Sequence, residues 1–116
     1  MNTEIYLRAE LDGVRFAVPA AAILKILSDP AAVPVPDAPE GICGIAYDAG
    51  AIFAIRSFSP KRRVPAQLVI LCRGGAEAYA ADCVEAMETL TGDELANALP
   101  AGDAGILLLD GKERND

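Results

Sequence analysis

Three cysteines are the residues of this 116-residue chain with the widest chemical repertoire. Cys43, Cys72 and Cys83 are far apart in sequence, and none forms the C-x-x-C pair typical of a zinc site. The chain has no histidine, so no Cys–His or Ser–His nucleophilic pair can be built. We therefore predict three buried, small apolar residues in a reducing compartment.

Clustered carboxylates are the second group of residues that could do chemistry. Glu85 and Glu88 could share a helix face, and Asp82 is nearby. A glycosidase-like pair needs a cleft with aromatic sugar platforms, and the chain has three Tyr, three Phe and no Trp. We interpret the carboxylates as a solvated face. The sequence predicts a non-catalytic protein without metal, cofactor or small-molecule substrate.

Charge and hydropathy narrow the class of partner. The net charge is −7, whereas nucleic-acid binding requires clustered Lys and Arg. The basic residues 61–63 lie in a Pro-flanked stretch that we interpret as a solvated loop. The longest nearly apolar run, residues 16–24, is too short to span a bilayer, and residues 1–5 lack the features of a signal peptide. We expect a cytoplasmic protein that neither binds nucleic acid nor inserts into a membrane.

The first structural element predicted with a register is a β-hairpin. Residues 5–11 alternate between apolar and polar, and residues 14–18 return the chain. Asp12-Gly13 is a two-residue hairpin signal, because a type I′ turn needs positive φ at both central positions. The apolar cross-strand pairs then share one face: Leu11–Val14, Ala9–Phe16 and Leu7–Val18.

Residues 39–58 are predicted to form a second strand–turn–strand unit. Apolar runs at 42–45 and 52–55 flank residues 46–50, which contain the turn residues Asp48 and Gly50. Three glycines within ten residues of strand-like sequence are typical of tight bends.

The remaining segments are predicted from local pattern. We expect a short helix at 19–27, because Pro19 suits a first helical position and apolar residues follow at helical spacing. We expect an extended connection at 31–39, a central strand at 67–73 and a hairpin through Gly74-Gly75 into 76–82. Residues 83–90 fit either a strand or a helix. A short helix at 91–98, capped by Thr91 or Asp93, and a final strand at 106–109 complete the prediction.

Several short motifs of the chain, in the order in which they occur along it, resemble those of the CheW-like domain. Residues 16–18 lead into 23–26, where the family commonly has V-x-E-I. Residues 39–52 correspond to its P-x-x-x-x-G-x-x-N-L-R-G-x-I, with Gly44 and Gly50 at the same spacing. Residues 80–84 are similar to V-V-D-x-V, and residues 106–110 to I-L-L-L-D. Domains of this family act as adaptors in bacterial chemotaxis arrays and as the regulatory domain of the kinase CheA.

The resemblance implies a fold and a function. The fold is all-β, with two small intertwined SH3-like β-barrel lobes and one or two short helices. The domain would cover residues 1–111, followed by a disordered tail at 112–116. The function would be that of a non-catalytic adaptor, which bridges a CheA-like histidine kinase and the cytoplasmic domain of a chemoreceptor through exposed hydrophobic surfaces.

The resemblance also implies a partner-binding site and two departures from the family pattern. The site residues are Lys25, Ile26, Tyr47, Asp48, Ala49, Gly50 and Ile52. Ala49 stands at the family's arginine position, and Lys25 replaces its usual Glu. These changes motivate an alternative function, a divergent CheW-like interaction module that serves a different partner or self-association. A small enzyme is the third hypothesis, and it requires a pocket that holds perturbed carboxylates.

Overall fold

Alternating apolar residues form β-strands along most of the chain. The computed structural model of the protein describes residues 4–28, 32–35, 41–58, 68–73, 77–101 and 105–109. The strands are β1 (Tyr6–Leu11), β2 (Val14–Pro19), β3 (Ile23–Ser28), β4 (Ala32–Val33), β5 (Ile42–Asp48), β6 (Ala51–Arg56), β7 (Leu68–Cys72), β8 (Glu77–Ala81), β9 (Cys83–Glu88), β10 (Leu99–Pro100) and β11 (Leu107–Leu108). Helix α1 covers Gly92–Asn97, and a 3-10 turn covers Ala20–Ala22.

The strands form two sheets. The five-stranded sheet has the order β10-β11-β2-β1-β9, and the six-stranded sheet has the order β3-β7-β8-β6-β5-β4. The pair of β6 with β8 is parallel. The predicted all-β fold class is confirmed, whereas closure of the sheets into barrels stays a prediction. The predicted turn at Gly74-Gly75, the basic residues 61–63 and the tail at 112–116 lie outside the described residues.

The first hairpin has the predicted register. Leu11 pairs with Val14, and Leu7 pairs with Val18. The turn residues Asp12 and Gly13 have φ of 52° and 85°, as a type I′ turn requires. The apolar face enters the core, where five of its six residues are buried: Leu7, Ala9, Leu11, Phe16 and Val18.

The predicted helix at 19–27 is wrong, because the segment forms strand β3 after a single 3-10 turn. Ile26 pairs with Ile70 and Leu27 with Val69 of β7. Both side chains pack against the main core. Apolar residues at almost every position suit a strand that contacts neighbours on both faces, and tertiary pairing overrides the weak helical spacing.

The other strand predictions are confirmed where the structure describes them. β7 is an interior strand between β3 and β8, in agreement with its apolar residues on both faces. The ambiguous segment at 83–90 contains strand β9, which pairs with β1 at the edge of its sheet. The final strand is short, but Ile106 and Leu109 on either side of it are buried.

Three aromatic side chains connect the two sheets. The ring centroid of Phe58 lies 4.9 Å from that of Phe16 in β2 and 5.5 Å from that of Tyr79 in β8. Tyr79 is fully buried, and its hydroxyl donates a hydrogen bond to Glu77 Oε1 at 3.2 Å. Burial raises the pKa of Tyr79, so its hydroxyl remains protonated. One core cluster therefore contains residues of both sheets.

Helix α1 is held to the five-stranded sheet by Glu94. The helix has the predicted cap at Thr91, whose hydroxyl accepts a hydrogen bond from the Glu94 N–H. The Glu94 carboxylate accepts from the Thr91 N–H at 2.8 Å, which completes a capping box. The same carboxylate accepts two hydrogen bonds from the buried Arg8 guanidinium, at 2.6 and 3.0 Å. These bonds from Arg8 lower the pKa of Glu94 to about 2.

Candidate functional site

The connection between β5 and β6 is a two-residue turn. Asp48 pairs with Ala51, and Ala49 and Gly50 between them have φ of 50° and 85°. This is the geometry of a type I′ turn. The sequence predicted a turn region of residues 46–50, but the strands extend further and leave only two residues outside the ladder. A Cβ at Gly50 would meet no atom within 4 Å, so its positive φ is the only steric reason for glycine there.

Beside this turn, the outer side of the sheet is apolar and exposed. Tyr47 and Ile52 are a cross-strand pair, and their exposed fractions are 64% and 61%. The next outward residue of β5, Ile45, is also exposed and pairs with the exposed Val33 of β4. We call these four side chains, Val33, Ile45, Tyr47 and Ile52, the docking face. Residues that alternate with them, such as Phe53, fill the core on the opposite side of the sheet.

An ion pair joins the turn to β3. Lys25 Nζ lies 3.2 Å from Asp48 Oδ2. β3 is at one end of the sheet order and β5 is next to the other end, so this contact connects strands that do not pair with each other. The side chain of Lys25 is 52% exposed and that of Asp48 is 21% exposed. Lys25, one of the predicted partner-binding residues, therefore contacts the β5–β6 turn.

The structure places most of the predicted partner-binding residues together. Tyr47, Asp48, Ala49, Gly50 and Ile52 form the turn and its adjacent cross-strand pair, and Lys25 reaches this turn through its ammonium group. Ile26 differs from the rest, because it is half-buried and packs against the main core.

A second ion pair lies on β6 and was not found by sequence reasoning. Arg56 Nε donates to Glu77 Oε2 at 2.7 Å, and the two side chains are 41% and 19% exposed. Arg56 follows Ile52 by four residues and points to the same side of the strand. The alternation of Ile52, Ala54 and Arg56 was the signal in the sequence, but the partner on β8 depends on a parallel pairing that the pattern does not reveal.

Two of the three cysteines are buried in the core, and the third is exposed. Cys43 and Cys72 are buried as predicted, and burial raises the pKa of Cys72 to about 11. Cys83 is exposed, so the prediction that all three are buried is wrong. Its position explains the difference, because β9 is an edge strand and Cys83 stands at its first residue. None of the three cysteines forms a disulfide bond.

The clustered carboxylates lie on or directly before strand β9. Glu85 and Glu88 lie on strand β9 and not on a helix face. Glu88 Oε1 accepts from Arg8 at 3.0 Å, and Asp82 Oδ2 accepts from the Asp12 N–H at 2.9 Å. Across the part of the chain that the structure describes, no group of three His, Cys, Asp or Glu residues could hold a metal ion.

The chain has an all-β fold of two sheets that is CheW-like. The chain is similar to a crystal structure described as the scaffolding protein TtCheW from Thermoanaerobacter tengcongensis. The TM-score is 0.60 at 14% sequence identity, over 88% of this chain and 70% of that chain. No family model and no curated protein sequence matches the chain. Within the described ranges, no helix is both long and apolar enough to cross a membrane.

Proposed function

We propose that the chain, over residues 1–111, is a single CheW-like domain that acts as a non-catalytic adaptor in bacterial chemotaxis-type signal transduction. It bridges a CheA-like histidine kinase and the cytoplasmic domain of a chemoreceptor, and it works in the cytoplasm. The observation that carries this proposal is the exposed cross-strand pair of Tyr47 and Ile52. The likeness in fold to a scaffolding protein supports the class of function.

The docking face has the composition of a protein interface. Tyr47 presents a large aromatic surface with few rotatable bonds, a side-chain type that is enriched among interface hot spots. Ile52, Ile45 and Val33 surround it with aliphatic surface that gains free energy when a partner removes it from water. Neighbouring exposed apolar residues on one sheet face are typical of interaction sites.

The perturbed ionisable groups support a role without catalysis. The pKa values that shift among the described residues each have a structural cause. Glu94 and Arg8 bind each other. Burial in the core is the main cause of the raised pKa values of Tyr79 and Cys72, and burial also raises the pKa of Tyr6. None of these groups belongs to the docking face.

A binding experiment with purified domains tests the proposal. The full chain is titrated by calorimetry with the regulatory domain of the organism's own CheA-type kinase and with the cytoplasmic domain of its chemoreceptor. Tyr47→Ala should weaken binding by about tenfold or more, while its melting temperature stays within a few degrees because the side chain is exposed.

Leu95→Ala is the matched control, because Leu95 is equally apolar and 54% exposed but lies on α1. This variant should bind like the wild type. If the wild type binds neither domain at tens of micromolar, the proposed adaptor function is wrong. A loss of stability in Tyr47→Ala would instead show that Tyr47 belongs to the core.

A divergent module that serves a different partner, or its own oligomer, is the second candidate function. The Lys25–Asp48 ion pair favours it, because this pair places a cation where the family commonly has Glu. Ala49 also lacks the charge of the family's arginine. Binding to neither chemotaxis domain, together with a dimer in solution that Tyr47→Ala dissociates, would support this candidate over the first.

A further inference from the structure

Lys25 is attached to the inner, buried side of the six-stranded sheet. It pairs with Leu71 of β7, and Leu71 pairs with Ala78 of β8. Ala78 in turn pairs with Ile55 of β6. Side chains that are paired across a sheet point to the same side, and Leu71, Ala78 and Ile55 are all fully buried. Because the Lys25 side chain is still 52% exposed, it lies at the margin of this core.

Asp48 points to the same inner side. On β6, Ala51, Phe53 and Ile55 share one side of the strand, and the last two are buried. Asp48 pairs with Ala51, so its carboxylate lies on that side as well. Tyr47, the preceding residue of β5, points to the opposite, exposed side. We call residues 47–52 the hairpin tip; the ion pair lies on its inner side and the docking face on its outer side.

The ion pair requires a strongly curled sheet. Four strand spacings separate β3 from β5 in the sheet order, which is about 19 Å in a flat sheet and more than the two side chains can bridge. Lys25 Nζ nevertheless lies 3.2 Å from Asp48 Oδ2. Chain length requires the same bend, because only residues 29–31 separate β3 from β4, the two ends of the sheet. A link of this length spans about 14 Å at most.

The hairpin tip extends beyond the neighbouring strand ladders. Among the described residues, β8 pairs with β6 only from Ala54 onward, and β4 pairs with two residues of β5 before Tyr47. Tyr47 and Ile52 pair with each other outside both ladders, although they form half of the docking face. The Lys25–Asp48 ion pair attaches this tip to β3 from the inner side.

We propose that Lys25 is a positioning residue for the docking face. Its ion pair with Asp48 holds the hairpin tip against β3 and thereby keeps Tyr47 and Ile52 in place on the outer side. This inference rests on the proposed docking function and deepens it, because Lys25 acts within the domain and not through contact with the partner. A surface that is fixed before binding loses less conformational freedom when it binds, so loss of the ion pair should weaken docking.

Variants of the ion pair test the proposal. Lys25→Met removes the ammonium and keeps an apolar stem of similar length, and Asp48→Asn removes the negative charge at constant size. The double variant completes a cycle that shows whether the two residues act through each other. Lys25→Arg keeps the cation and should rescue. Ala96→Glu is the control, because it changes the net charge by the same amount as Lys25→Met at an exposed position of α1.

Amide hydrogen exchange of the free chain, followed by NMR, measures the hairpin tip without a partner. Lys25→Met and Asp48→Asn should each speed exchange at residues 47–52 about two- to fivefold, as expected for a partly exposed ion pair. The double variant should exceed neither. The difference from wild type should shrink at 500 mM NaCl, because salt screens the pair. Lys25→Arg and Ala96→Glu should exchange like the wild type, and the amides of β1 should be unchanged throughout.

Titration with the purified kinase and chemoreceptor domains then measures the effect on docking. Lys25→Met and Asp48→Asn should both weaken binding about two- to fivefold, in proportion to the faster exchange, and Lys25→Arg should bind like the wild type. The Asp48→Asn variant separates this role from direct contact. A Lys25 that bound the partner itself would bind no worse once its intramolecular carboxylate was neutralised.

The other outcomes contradict defined parts of the proposal. Unchanged exchange at the hairpin tip in Lys25→Met overturns it, and Asp48→Asn decides in its place if that variant fails to fold. An equal acceleration in β1 also overturns it, because the ion pair would then act on the whole domain. Faster exchange with unchanged binding rejects the role in docking. No binding by the wild type rejects the adaptor function and that role with it, whereas exchange still decides whether Lys25 holds the tip.

Discussion

Ala49 is a residue whose backbone conformation carries a cost. Its φ of 50° is in the left-handed region. There the Cβ of an L-residue lies too close to the following carbonyl oxygen, which costs roughly 1–2 kcal/mol. The next residue, Gly50, has φ of 85° and no Cβ to crowd. The turn is thus built from one strained and one unstrained position, although both share the same type I′ geometry.

Substitutions at these two positions should change stability in opposite directions. Ala49→Gly should raise the free energy of unfolding by about 0.5–1 kcal/mol, because relief of strain exceeds the added entropy of the unfolded chain. Gly50→Ala should lower it by about 1 kcal/mol or more, because the new Cβ meets the same left-handed conformation. Urea denaturation of the two variants measures both. Destabilisation by Ala49→Gly would show that the turn is not strained at this residue.

The anchoring of α1 is the clearest case at the scale of an element. The helix has only six residues and buries none of them, so packing contributes little to its position. Glu94 instead combines a capping box with the paired hydrogen bonds to Arg8. One carboxylate therefore both starts the helix and attaches it to β1.

This anchor should make stability depend on pH at the acidic end. The folded pKa of Glu94 is about 2, below its ordinary value of 4.5. Its contribution is therefore complete above pH 4.5 and is lost as the pH falls toward 2. Glu94→Gln should lower the free energy of unfolding by about 1–3 kcal/mol at pH 7. The variant should also flatten the decline in stability between pH 4.5 and 2.

Urea denaturation at a series of pH values measures this effect, and Glu85→Gln on the exposed side of β9 is the control. The control should keep the acid dependence of the wild type. A wild-type slope in Glu94→Gln would show that other carboxylates account for the acid sensitivity.

How far the sequence predicts these elements depends on whether local and long-range requirements agree. At the first hairpin, the Asp12-Gly13 turn and the alternation select the same register, so the pairing was predictable. At β3, the spacing of Ile23, Ile26 and Leu27 favoured a helix, but pairing with β7 decided the outcome.

The candidate site was predictable only in part. The residues of the β5–β6 turn were identified through the motif at residues 39–52. Their exposure was predictable because they lie at the tip of a hairpin. The ion pairs Lys25–Asp48 and Arg56–Glu77 join residues 23 and 21 positions apart in sequence. Such contacts depend on how distant strands are placed, and local pattern contains no information on that.

At the scale of the whole molecule, the two sheets share one core. The rings of Phe16, Phe58 and Tyr79 are in contact where the sheets meet, with Phe58 stacked on Tyr79 and tilted against Phe16. The core cluster includes buried residues such as Leu11 from the first sheet and Ile55 from the second. A shared core makes independent unfolding of either sheet unfavourable, because one half would expose the apolar surface of the other.

Phe16→Ala should therefore destabilise both sheets together. Phe16 is fully buried, and truncation of a buried Phe costs about 3–5 kcal/mol. Circular dichroism and tyrosine fluorescence should report one coincident transition, shifted to lower temperature. Two separate transitions in the wild type would indicate that the sheets are independent units.

The most direct test of the central claim is a chemical-shift map of the docking face. The full chain, labelled with ¹⁵N, is titrated with the unlabelled regulatory domain of the CheA-type kinase, and amide shifts are followed residue by residue. The account predicts that the largest changes fall on Val33, Ile45, Tyr47, Ile52 and Lys25, with α1 unaffected. Changes concentrated on α1 and β9, or the absence of any change, would contradict it.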